Sequence, residues 1–510
     1  MTEAIQMLAQ DFGLLPHLIA AHAQERGDRL AIADDRRSIT YAELDRLMDR
    51  VAAALQRDGT TQGQAAAIVA YPSVDYGVAF LGILRAGSVA APIAPSSTPQ
   101  QIAAMIADSG ADICFVDAAN EQALAGQSVA ATQVRLDRDF DAWLAPDGSK
   151  PAAVTIAPAD GFNIIYSSGT TGTPKGIVQS HAMRWGHINR NGPAGFGDAV
   201  TLLATPLYSN TTLVSFLPTL GWGGTVVLMG KFDANRYLEL AEDHRATHTM
   251  LVPVQYQRIM ALPDFDGFDL SSFRFKTCTS APFSAALKAD VVKRWPGALI
   301  EYYGMTEGGG GCMLAAHEFP GKLHTVGRPM PGHEMKLIDD DGREVGPGES
   351  GEVVGRSPTM MNGYHGRAEA TRDAEWFDPD GNRYIRHGDV GRFDEDGFLI
   401  LMDRKKDMII SGGYNIYPSD LEAVLAGHPA VADAAVIGAP SETWGETPVG
   451  FFVPRPGATD EPLEILTWVN AQVGRTQRLS ALHTVDELPR SAIGKVLKRE
   501  LRDRLAETPA

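Results

Sequence analysis

Cysteine is scarce in this sequence. The 510-residue chain has three cysteines, Cys114, Cys278 and Cys312, which lie far apart and include no CxxC pair. Three dispersed cysteines offer neither the even number of a disulfide framework nor the ligand spacing of a zinc site. A reduced, cytoplasmic setting is therefore expected.

A long hydrophobic run and an excess of basic residues are also missing. The most apolar stretch, residues 65–95, is interrupted by Asp75, Arg85 and prolines, and the first residues lack the pattern of a signal peptide. Acidic residues outnumber basic residues by 63 to 45, which gives a formal charge of −18. We expect no membrane span, and no nucleic-acid partner, because an acidic surface repels phosphate backbones.

The sequence does contain a regular alternation of β-like and helical segments. A chain of 510 residues exceeds what one core can organise, so two or more domains are expected. Residues 41–56 and 73–86 have helical apolar spacing, with Ser73 as a predicted N-cap. The alternation predicts layered α/β subdomains with largely parallel sheets. The predicted strands are 65–70, 113–116, 163–166, 202–204, 225–228, 250–252 and 299–303.

The sequence pattern changes after residue 331 and again near residue 403. Short β-like runs separated by Asp-Gly and Gly-Pro-Gly turns predict a small antiparallel or barrel-like module over about residues 331–402. A charged run then precedes a segment with its own strand–helix pattern. We predict an N-terminal domain at 1–402, a hinge at 403–406 and a small α+β C-terminal domain at 407–510.

Residues 166–176, Tyr-Ser-Ser-Gly-Thr-Thr-Gly-Thr-Pro-Lys-Gly, form a polar loop between a β-like run and a helical pattern. Glycines let backbone amides converge, hydroxyls add donors and the lysine adds a positive charge, a combination suited to a polyphosphate. A flexible surface loop is the alternative, but the ordered Pro-Lys-Gly ending favours phosphate binding. The predicted phosphate-binding residues are Ser167, Ser168, Gly169, Thr170, Thr171, Gly172 and Lys175.

This loop resembles the signature of the adenylate-forming superfamily, which includes acyl-CoA synthetases, aryl-CoA ligases and the adenylation domains of peptide synthetases. The resemblance covers nearly the whole chain, because further motifs follow in the family's order. It implies an ATP-dependent acid–CoA ligase that forms an acyl-adenylate with release of pyrophosphate, and then a CoA thioester with release of AMP.

The resemblance also implies ATP, Mg²⁺ and coenzyme A as cofactors, together with a C-terminal domain that rotates between the two half-reactions. Two other functions stay open at this point. One is a stand-alone adenylation enzyme that loads the thiol of a carrier protein, and the other is a non-catalytic nucleotide-binding regulatory protein. A homodimer also stays open.

The segment Glu301-Tyr302-Tyr303-Gly304-Met305-Thr306-Glu307 resembles a second family motif. The resemblance implies that Tyr303 offers an aromatic face to adenine and that Thr306 donates to the α-phosphate. Glu307 would be a ligand for Mg²⁺, a cation that prefers oxygen. The family usually has Asn, Gln or Asp where Glu301 stands, so its contact with the adenine amino group is a departure. The nucleotide residues added by resemblance are Tyr302, Ser280, Ala281 and Pro282.

Further motifs lie in the last quarter of the chain. Asp389 matches the family residue that holds the ribose diol, and a carboxylate can accept both hydroxyl hydrogens. By the same resemblance, Arg404 contacts ribose or phosphate and Lys406 is the hinge residue. Gly412 and Gly413 would let the pantetheine arm of coenzyme A pass close to the backbone.

Lys495 lies in the segment 489–496, which also resembles a family motif. It matches the lysine that joins the acid's carboxylate to the α-phosphate. An ammonium placed between two like charges cancels their repulsion and stabilises the charge that develops during adenylation. The alternative is an ordinary surface lysine that precedes a helix.

The acid pocket is expected where the family has it, after residues 206–208, near residues 254–256 and around Glu307. An aspartate that would pair with an amino group is missing there, which disfavours an amino acid, and the glycines of 308–311 predict room for a bulky tail. We expect a medium-to-long aliphatic or an aryl-substituted acid. The predicted pocket residues are Tyr208, Ser209, Asn210, Val254, Gln255, Met305, Gly308 and Gly309.

Overall fold

The chain divides into two compact units. The computed structural model describes residues 2–166, 175–190, 194–411, 414–491 and 494–507. The first unit comprises Met1–His324, Pro329–Glu334 and Arg356–Ile385, and the second comprises Thr325–Arg328, Met335–Gly355 and Arg386–Ala510. This division groups residues 386–402 with the C-terminal part of the chain, and the predicted boundary at residue 403 stays a prediction.

Helices are found throughout the described chain. In chain order they are α1 Glu3–Leu8, α2 Leu15–Arg26, α3 Tyr41–Arg57, α4 Val74–Arg85, α5 Pro99–Ser109, α6 Ala118–Leu124, α7 Phe140–Trp143, α8 His181–Asn189, α9 Asn210–Gly221, α10 Ala234–Asp243, α11 Pro253–Met260, α12 Ala285–Arg294, α13 Ala368–Asp373, α14 Pro418–Ala426, α15 Pro462–Gln472 and α16 Lys498–Glu507.

Strands alternate with these helices. They are β1 Leu30–Ala33, β2 Ser38–Thr40, β3 Ala65–Val69, β4 Val89–Pro92, β5 Ile113–Val116, β6 Thr132–Arg135, β7 Gly161–Tyr166, β8 Gly176–Ser180, β9 Val200–Leu203, β10 Thr225–Leu228, β11 His248–Leu251, β12 Phe275–Cys278, β13 Ala298–Gly304, β14 Gly311–Ala315, β15 Arg328–Pro329, β16 Glu334–Ile338, β17 Gly351–Arg356, β18 Gly363–Tyr364, β19 Glu375–Phe377, β20 Arg383–Phe393, β21 Leu399–Arg404, β22 Ile409–Ser411, β23 Tyr414–Ile416, β24 Val431–Ser441, β25 Gly445–Pro454 and β26 Ala481–Thr484.

Two mainly parallel sheets form the framework of the first unit. One has seven strands in the order β18-β8-β7-β4-β3-β5-β6, and the other has nine in the order β15-β14-β13-β12-β11-β9-β10-β1-β2. The inner strands of both pair in parallel, and β8 and β14 pair antiparallel with their neighbours. The predicted layered α/β architecture is therefore confirmed.

Local sequence explains how the helices between these sheets form and pack. Thr40 caps α3 in a capping box with Glu43, and Ser73 caps α4 by accepting from the Tyr76 amide, as predicted. The apolar face of α3 is buried in a core that also contains residues of α4 and of both sheets. Gly82 of α4 is required there, because a Cβ would lie 2.4 Å from Cβ of Val51.

Antiparallel strands make up much of the second unit. Strand β20 pairs antiparallel with β21, and β16, β17 and β20 are consecutive in a sheet of five strands. The C-terminal residues form another sheet in the order β23-β22-β25-β24, with β26 parallel to β25. Helices α14 and α15 cover one part of its core and α16 covers another.

The cysteines and the lengths of the apolar helices bear on two expectations from the sequence. Cys114, Cys278 and Cys312 are buried thiols outside any disulfide. Within the described ranges, no helix combines the length and the apolar character that crossing a bilayer requires.

Candidate nucleotide and acid site

Four neighbouring strands of the nine-stranded sheet end at the same edge. Strands β13, β12, β11 and β9 are adjacent and parallel, so their carboxyl ends lie together. In open α/β sheets this edge is where ligands bind. The predicted nucleotide and acid residues follow these strands, at 206–210, 253–256, 279–282 and 305–307. The fold of the first unit therefore gathers segments that are separated by up to a hundred residues in the sequence.

The segments that follow β9 and β12 are joined by a hydrogen bond. Ser209 caps α9, and the hydroxyl of Thr211 lies 2.6 Å from the hydroxyl of Ser280. Ser280 has a φ of +83°, a left-handed conformation that is uncommon for a residue with a side chain and is often found at functional sites. Tyr208 is part-buried, and burial raises its pKa to about 12. Ala281 and Pro282 follow Ser280 in the same segment after β12.

Gln255 connects the segment after β11 to the end of β9. Its Nε2 donates to the carbonyl of Ala204 at 2.8 Å, and its Oε1 accepts from the Val252 amide at 3.1 Å. Both ends of the buried Gln255 side chain are therefore bonded within the protein, which favours a role in shaping the pocket. Val254 precedes it on α11, and the ligand contacts of both residues stay predictions.

Glu301 lies on β13 and is buried. Its carboxylate forms an ion pair with Lys288 of α12, whose ammonium also donates to the Leu323 carbonyl at 2.8 Å. Burial raises the pKa of Glu301 to about 7, and Lys288 acts in the opposite direction. Lys288 was not identified from the sequence. The ion pair gives Glu301 a structural partner, and its contact with adenine stays a prediction.

Tyr302 and Tyr303 lie on opposite faces of β13, since side chains alternate along a strand. Tyr302 is part-buried and packs against the main core of the first unit. Tyr303, on the other face, is paired in register with Cys312 of β14. The contact of Tyr303 with adenine stays a prediction.

The Thr306–Glu307 segment is fixed by polar contacts to other parts of the first unit. Gln179 of β8 donates its Nε2 to the Thr306 carbonyl at 2.7 Å, and the Met361 amide donates to the Glu307 carbonyl at 2.8 Å. The hydroxyl of Tyr364 donates to Oε1 of Glu307 at 2.8 Å. These contacts set the direction of the proposed metal ligand.

Tyr364 also faces Lys175. The Lys175 ammonium lies 5.1 Å from the centroid of the Tyr364 ring, within cation–π range. One tyrosine thus contacts both the lysine of the predicted phosphate loop and the carboxylate of Glu307. Sequence reasoning missed Tyr364, because nothing local to it signals contacts with residues this distant. Of the other predicted loop residues, Ser167 to Gly172 lie outside the described ranges.

Gly308 is a glycine because the backbone approaches closely there. It has a φ of +74°, and a Cβ would lie 1.9 Å from the Thr359 carbonyl oxygen. The hydroxyl of Ser357 donates to the Gly308 carbonyl at 2.7 Å. The missing side chain at this position reflects close packing and gives no support for extra room. Met305 packs in a small apolar cluster, and the roles of Met305, Gly308 and Gly309 in the pocket stay predictions.

The residues at this edge fit a magnesium ion that arrives with ATP. In the described residues no group of three or more His, Cys, Asp or Glu side chains could hold a metal. Mg²⁺ is commonly bound by one or two carboxylates together with substrate phosphates. Glu307 has one oxygen bonded to Tyr364, and its second oxygen can serve as such a ligand.

In the second unit, two predicted residues are brought together. Asp389 on β20 is paired in register with Arg404 on β21, and Nε of Arg404 lies 2.8 Å from Oδ1 of Asp389. The arginine fixes the carboxylate, which is mostly buried. Lys406 follows, and burial lowers its pKa. Gly412 and Gly413 lie outside the described ranges.

Lys495 lies in a tight turn. Its amide donates to the hydroxyl of Ser491 at 3.2 Å, and the Ser491 amide donates back to the Lys495 carbonyl at 2.8 Å. The guanidinium of Arg490 donates to the Gly494 carbonyl at 2.7 Å and pairs with Asp433 at 2.6 Å. The backbone next to the predicted catalytic lysine is therefore anchored to the C-terminal sheet.

Comparison with known proteins finds two family models. The model for the AMP-binding enzyme family matches residues 19–365, and the model for the AMP-binding enzyme C-terminal domain matches residues 420–495. The two matched ranges contain the phosphate loop, the motif at residues 301–307 and Lys495, while Asp389, Arg404 and Lys406 lie between them.

Relatives match along nearly the full chain. A feruloyl-CoA synthase from an Amycolatopsis species is 34% identical over 92% of this chain and 94% of its own. A fatty acid–[acyl-carrier-protein] ligase from Streptomyces coeruleorubidus is 32% identical over 95% of both chains. The ATP-bound structure of MatB from Rhodopseudomonas palustris is similar with a TM-score of 0.84 and 29% identity, over 96% of this chain and 99% of that one.

Proposed function

Because the chain belongs to the AMP-binding enzyme family, in which acid–CoA ligases work through acyl-adenylates, we propose that it ligates a carboxylic acid to coenzyme A. The acid's carboxylate attacks the α-phosphorus of ATP and pyrophosphate leaves. The CoA thiol then attacks the acyl carbon and AMP leaves. The acid is an aryl-substituted or a medium-to-long aliphatic one, in line with relatives named for feruloyl and fatty-acid substrates.

The observation that carries this proposal is the shared edge of β9, β11, β12 and β13. It places the exits of four strands side by side, with Thr306 and Glu307 fixed there by Gln179 and Tyr364. Adenylation needs an acid and a nucleotide held next to each other, and such positioning supplies much of the rate enhancement.

Several residues of the first unit would act on the nucleotide. Thr306 would donate its hydroxyl to the α-phosphate, and Tyr303 would offer its ring to adenine. Bound Mg²⁺ would neutralise phosphate charge and so ease the departure of pyrophosphate. Glu307 would hold this ion, oriented by Tyr364, and Lys175 would add a positive charge next to the phosphates.

Two sites of the second unit would complete the chemistry. Asp389, fixed by Arg404, would accept from the ribose hydroxyls. Lys495 would place its ammonium between the incoming carboxylate and the α-phosphate, where it offsets the repulsion of like charges. A rotation at residues 403–406 between the half-reactions is part of the same proposal.

The test is an assay of the purified protein with Mg-ATP and a panel of fatty acids, benzoates, cinnamates and amino acids, with and without CoA. Pyrophosphate and the CoA thioester are both followed. Thioester formation that depends on CoA, with one class of acid, is the expected result. If pyrophosphate is released with none of the acids, the proposal is overturned.

A carrier-protein thiol is a second candidate for the acceptor. The relative named as a fatty acid–[acyl-carrier-protein] ligase favours it. The first half-reaction is identical in both cases, so only the acceptor distinguishes them. Pyrophosphate release without a CoA product, together with acylation of an added phosphopantetheinyl carrier protein, would identify this second function.

A further inference from the structure

Arg184 lies on α8 and is fully buried. Its Nε donates to Oδ1 of Asn163 at 2.8 Å, one terminal nitrogen donates to Oδ1 of Asn210 at 2.8 Å, and the other donates to Oε1 of Gln179. These partners come from β7, β8 and the start of α9. The guanidinium therefore joins the seven-stranded sheet to the segment that follows β9.

Every one of these partners is a neutral amide. Among the described residues, no carboxylate pairs with Arg184, and burial lowers the pKa of its guanidinium to about 9 with no acidic group opposing it. A buried charge without an opposite charge is costly, even when its donors are all hydrogen-bonded. We take the retention of this charge as a sign that it serves the neighbouring site.

The charge fixes the direction of the Asn210 side chain. Arginine has donors and no acceptor, so the oxygen of the Asn210 amide must face Arg184. The NH₂ group of Asn210 then points away from Arg184. Within the described ranges no protein acceptor bonds to that NH₂ group, and Asn210 is part-exposed.

Asn210 is placed where the acid is expected. It is the first residue of α9, the helix that follows β9 at the carboxyl edge of the nine-stranded sheet. Its neighbour Thr211 bonds to Ser280 in the segment that follows β12, a strand separated from β9 by β11. From Arg184 a second path runs through Gln179 to the Thr306 carbonyl at 2.7 Å, so one buried charge is bonded to both sides of the site.

The local electrostatic environment is positive. Arg190, at the end of the same helix, bonds to the Gly186 carbonyl, to the Thr359 hydroxyl and to His333, none of which is an acid. Nδ1 of His187 lies 3.4 Å from a terminal nitrogen of Arg184. Burial lowers the pKa of His187 most, and the charges of Arg184 and Arg190 lower it further. This positive region contrasts with a chain whose formal charge is −18.

From this arrangement we propose that Asn210 is a specificity-determining residue whose NH₂ group donates to a second oxygen group on the acid, remote from the carboxylate that is activated, with Arg184 as its positioning residue. The inference rests on the proposed ligase function and narrows its substrate class. The acid carries a hydroxyl or a carboxylate at its far end, and the positive surroundings favour the carboxylate.

The test uses two matched sets of acids that differ only at the far end. They are hexanoate, 6-hydroxyhexanoate and adipate, and cinnamate, 4-hydroxycinnamate and 4-carboxycinnamate. The rate of CoA thioester formation gives kcat/KM for each acid. In at least one set we expect the carboxylate-ended acid to exceed the hydrocarbon acid about tenfold or more, as for a hydrogen bond to a charged group, and the hydroxyl-ended acid to exceed it by a smaller factor.

Asn210→Asp separates recognition from folding. The new carboxylate can accept from Arg184 but has no hydrogen to donate, and it repels an anionic tail. We expect the advantage of the carboxylate-bearing acids over the hydrocarbon acids to fall about tenfold, taken as a ratio so that any loss common to all acids cancels. Arg184→Gln should lower the same ratio. Gln122→Glu, an exposed amide on α6 with the same change of charge, should leave it unchanged.

The outcomes separate this inference from the ligase function. Thioester formation at equal or higher kcat/KM with the hydrocarbon acids of both sets would overturn the inference and leave the ligase function intact. An equal loss for all acids in Asn210→Asp, in a variant that keeps its melting temperature, would reduce Asn210 to a structural role. If Asn210→Asp does not fold, the wild-type ratios decide alone. If no acid yields an adenylate, the ligase function itself is overturned.

Discussion

At the scale of single residues, Lys495 is expected to serve only one half-reaction. Its ammonium offsets the repulsion between carboxylate and phosphate, which is present in adenylation and absent when a thiol attacks a finished adenylate. Lys495→Ala should therefore lower pyrophosphate release from ATP by about 10²–10³-fold. Thioester formation from chemically prepared acyl-adenylate should stay within a few-fold of wild type.

A neighbouring lysine provides the control for this variant. Lys498 pairs with Glu422 at 2.8 Å and takes no part in the proposed chemistry. Lys498→Ala should leave both half-reactions largely unchanged. An equal loss of both half-reactions in Lys495→Ala would contradict its assignment to adenylation.

Tyr364 is expected to determine how much Mg²⁺ the reaction needs. Tyr364→Phe keeps the ring under Lys175 and removes the hydroxyl that donates to Glu307. The Mg²⁺ concentration for half-maximal pyrophosphate release should rise about threefold to tenfold, in the range of a hydrogen bond to a charged group. In Tyr237→Phe, where the lost hydroxyl bonds to Thr249 in the core, the Mg²⁺ requirement should not move. The same shift in both variants would argue against a specific role for Tyr364.

At the scale of elements, the segment after β21 is the predicted hinge. Proline fixes φ and removes an amide hydrogen, and no hydrogen bond of the Lys406 amide is found to other described residues. Lys406→Pro should therefore preserve the strands and slow thioester formation more than adenylation, by about tenfold in the ratio of the two rates. Lys406→Ala, which removes only the side chain, should keep the ratio. An unchanged ratio of the two rates in the proline variant would show that residue 406 is not the hinge.

At the scale of the whole molecule, buried histidines make stability depend on pH. Burial lowers the pKa of His181 to about 4, and burial also lowers the pKa of His22 and His248. Between pH 6.5 and pH 4 the unfolded chain binds protons that the folded chain does not, so the free energy of unfolding falls as the pH falls. For His181 alone the loss amounts to about 3 kcal/mol at most.

Urea unfolding at pH 7.5, 6 and 5 checks this expectation. The midpoint should fall steadily with pH in the wild type and less steeply in His181→Gln. His483→Gln, at a partly exposed position, should keep the wild-type slope. A midpoint that does not change over this range would show that these histidines bind protons equally well in both states.

The sequence by itself determined the elements and the order of the motifs. Helices α3 and α4 and strands β5 and β10 lie within a residue or two of the predicted ranges, because apolar spacing and capping residues are local properties. The chemistry-bearing motifs are also local, since each lies in one loop or strand end. The resemblance they carry was sufficient to identify the family that the comparisons then found.

Only the tertiary structure decided which side chains meet. Tyr364 with Glu307, Lys288 with Glu301, and Arg184 with Asn210 each join elements far apart in the chain, and no local pattern records such pairs. Gly308 shows the same limit. The sequence indicated room for a bulky tail there, whereas the structure explains the glycine by the close approach of the Thr359 carbonyl. Contacts of this kind depend on how sheets and helices pack, and packing is a property of the whole fold.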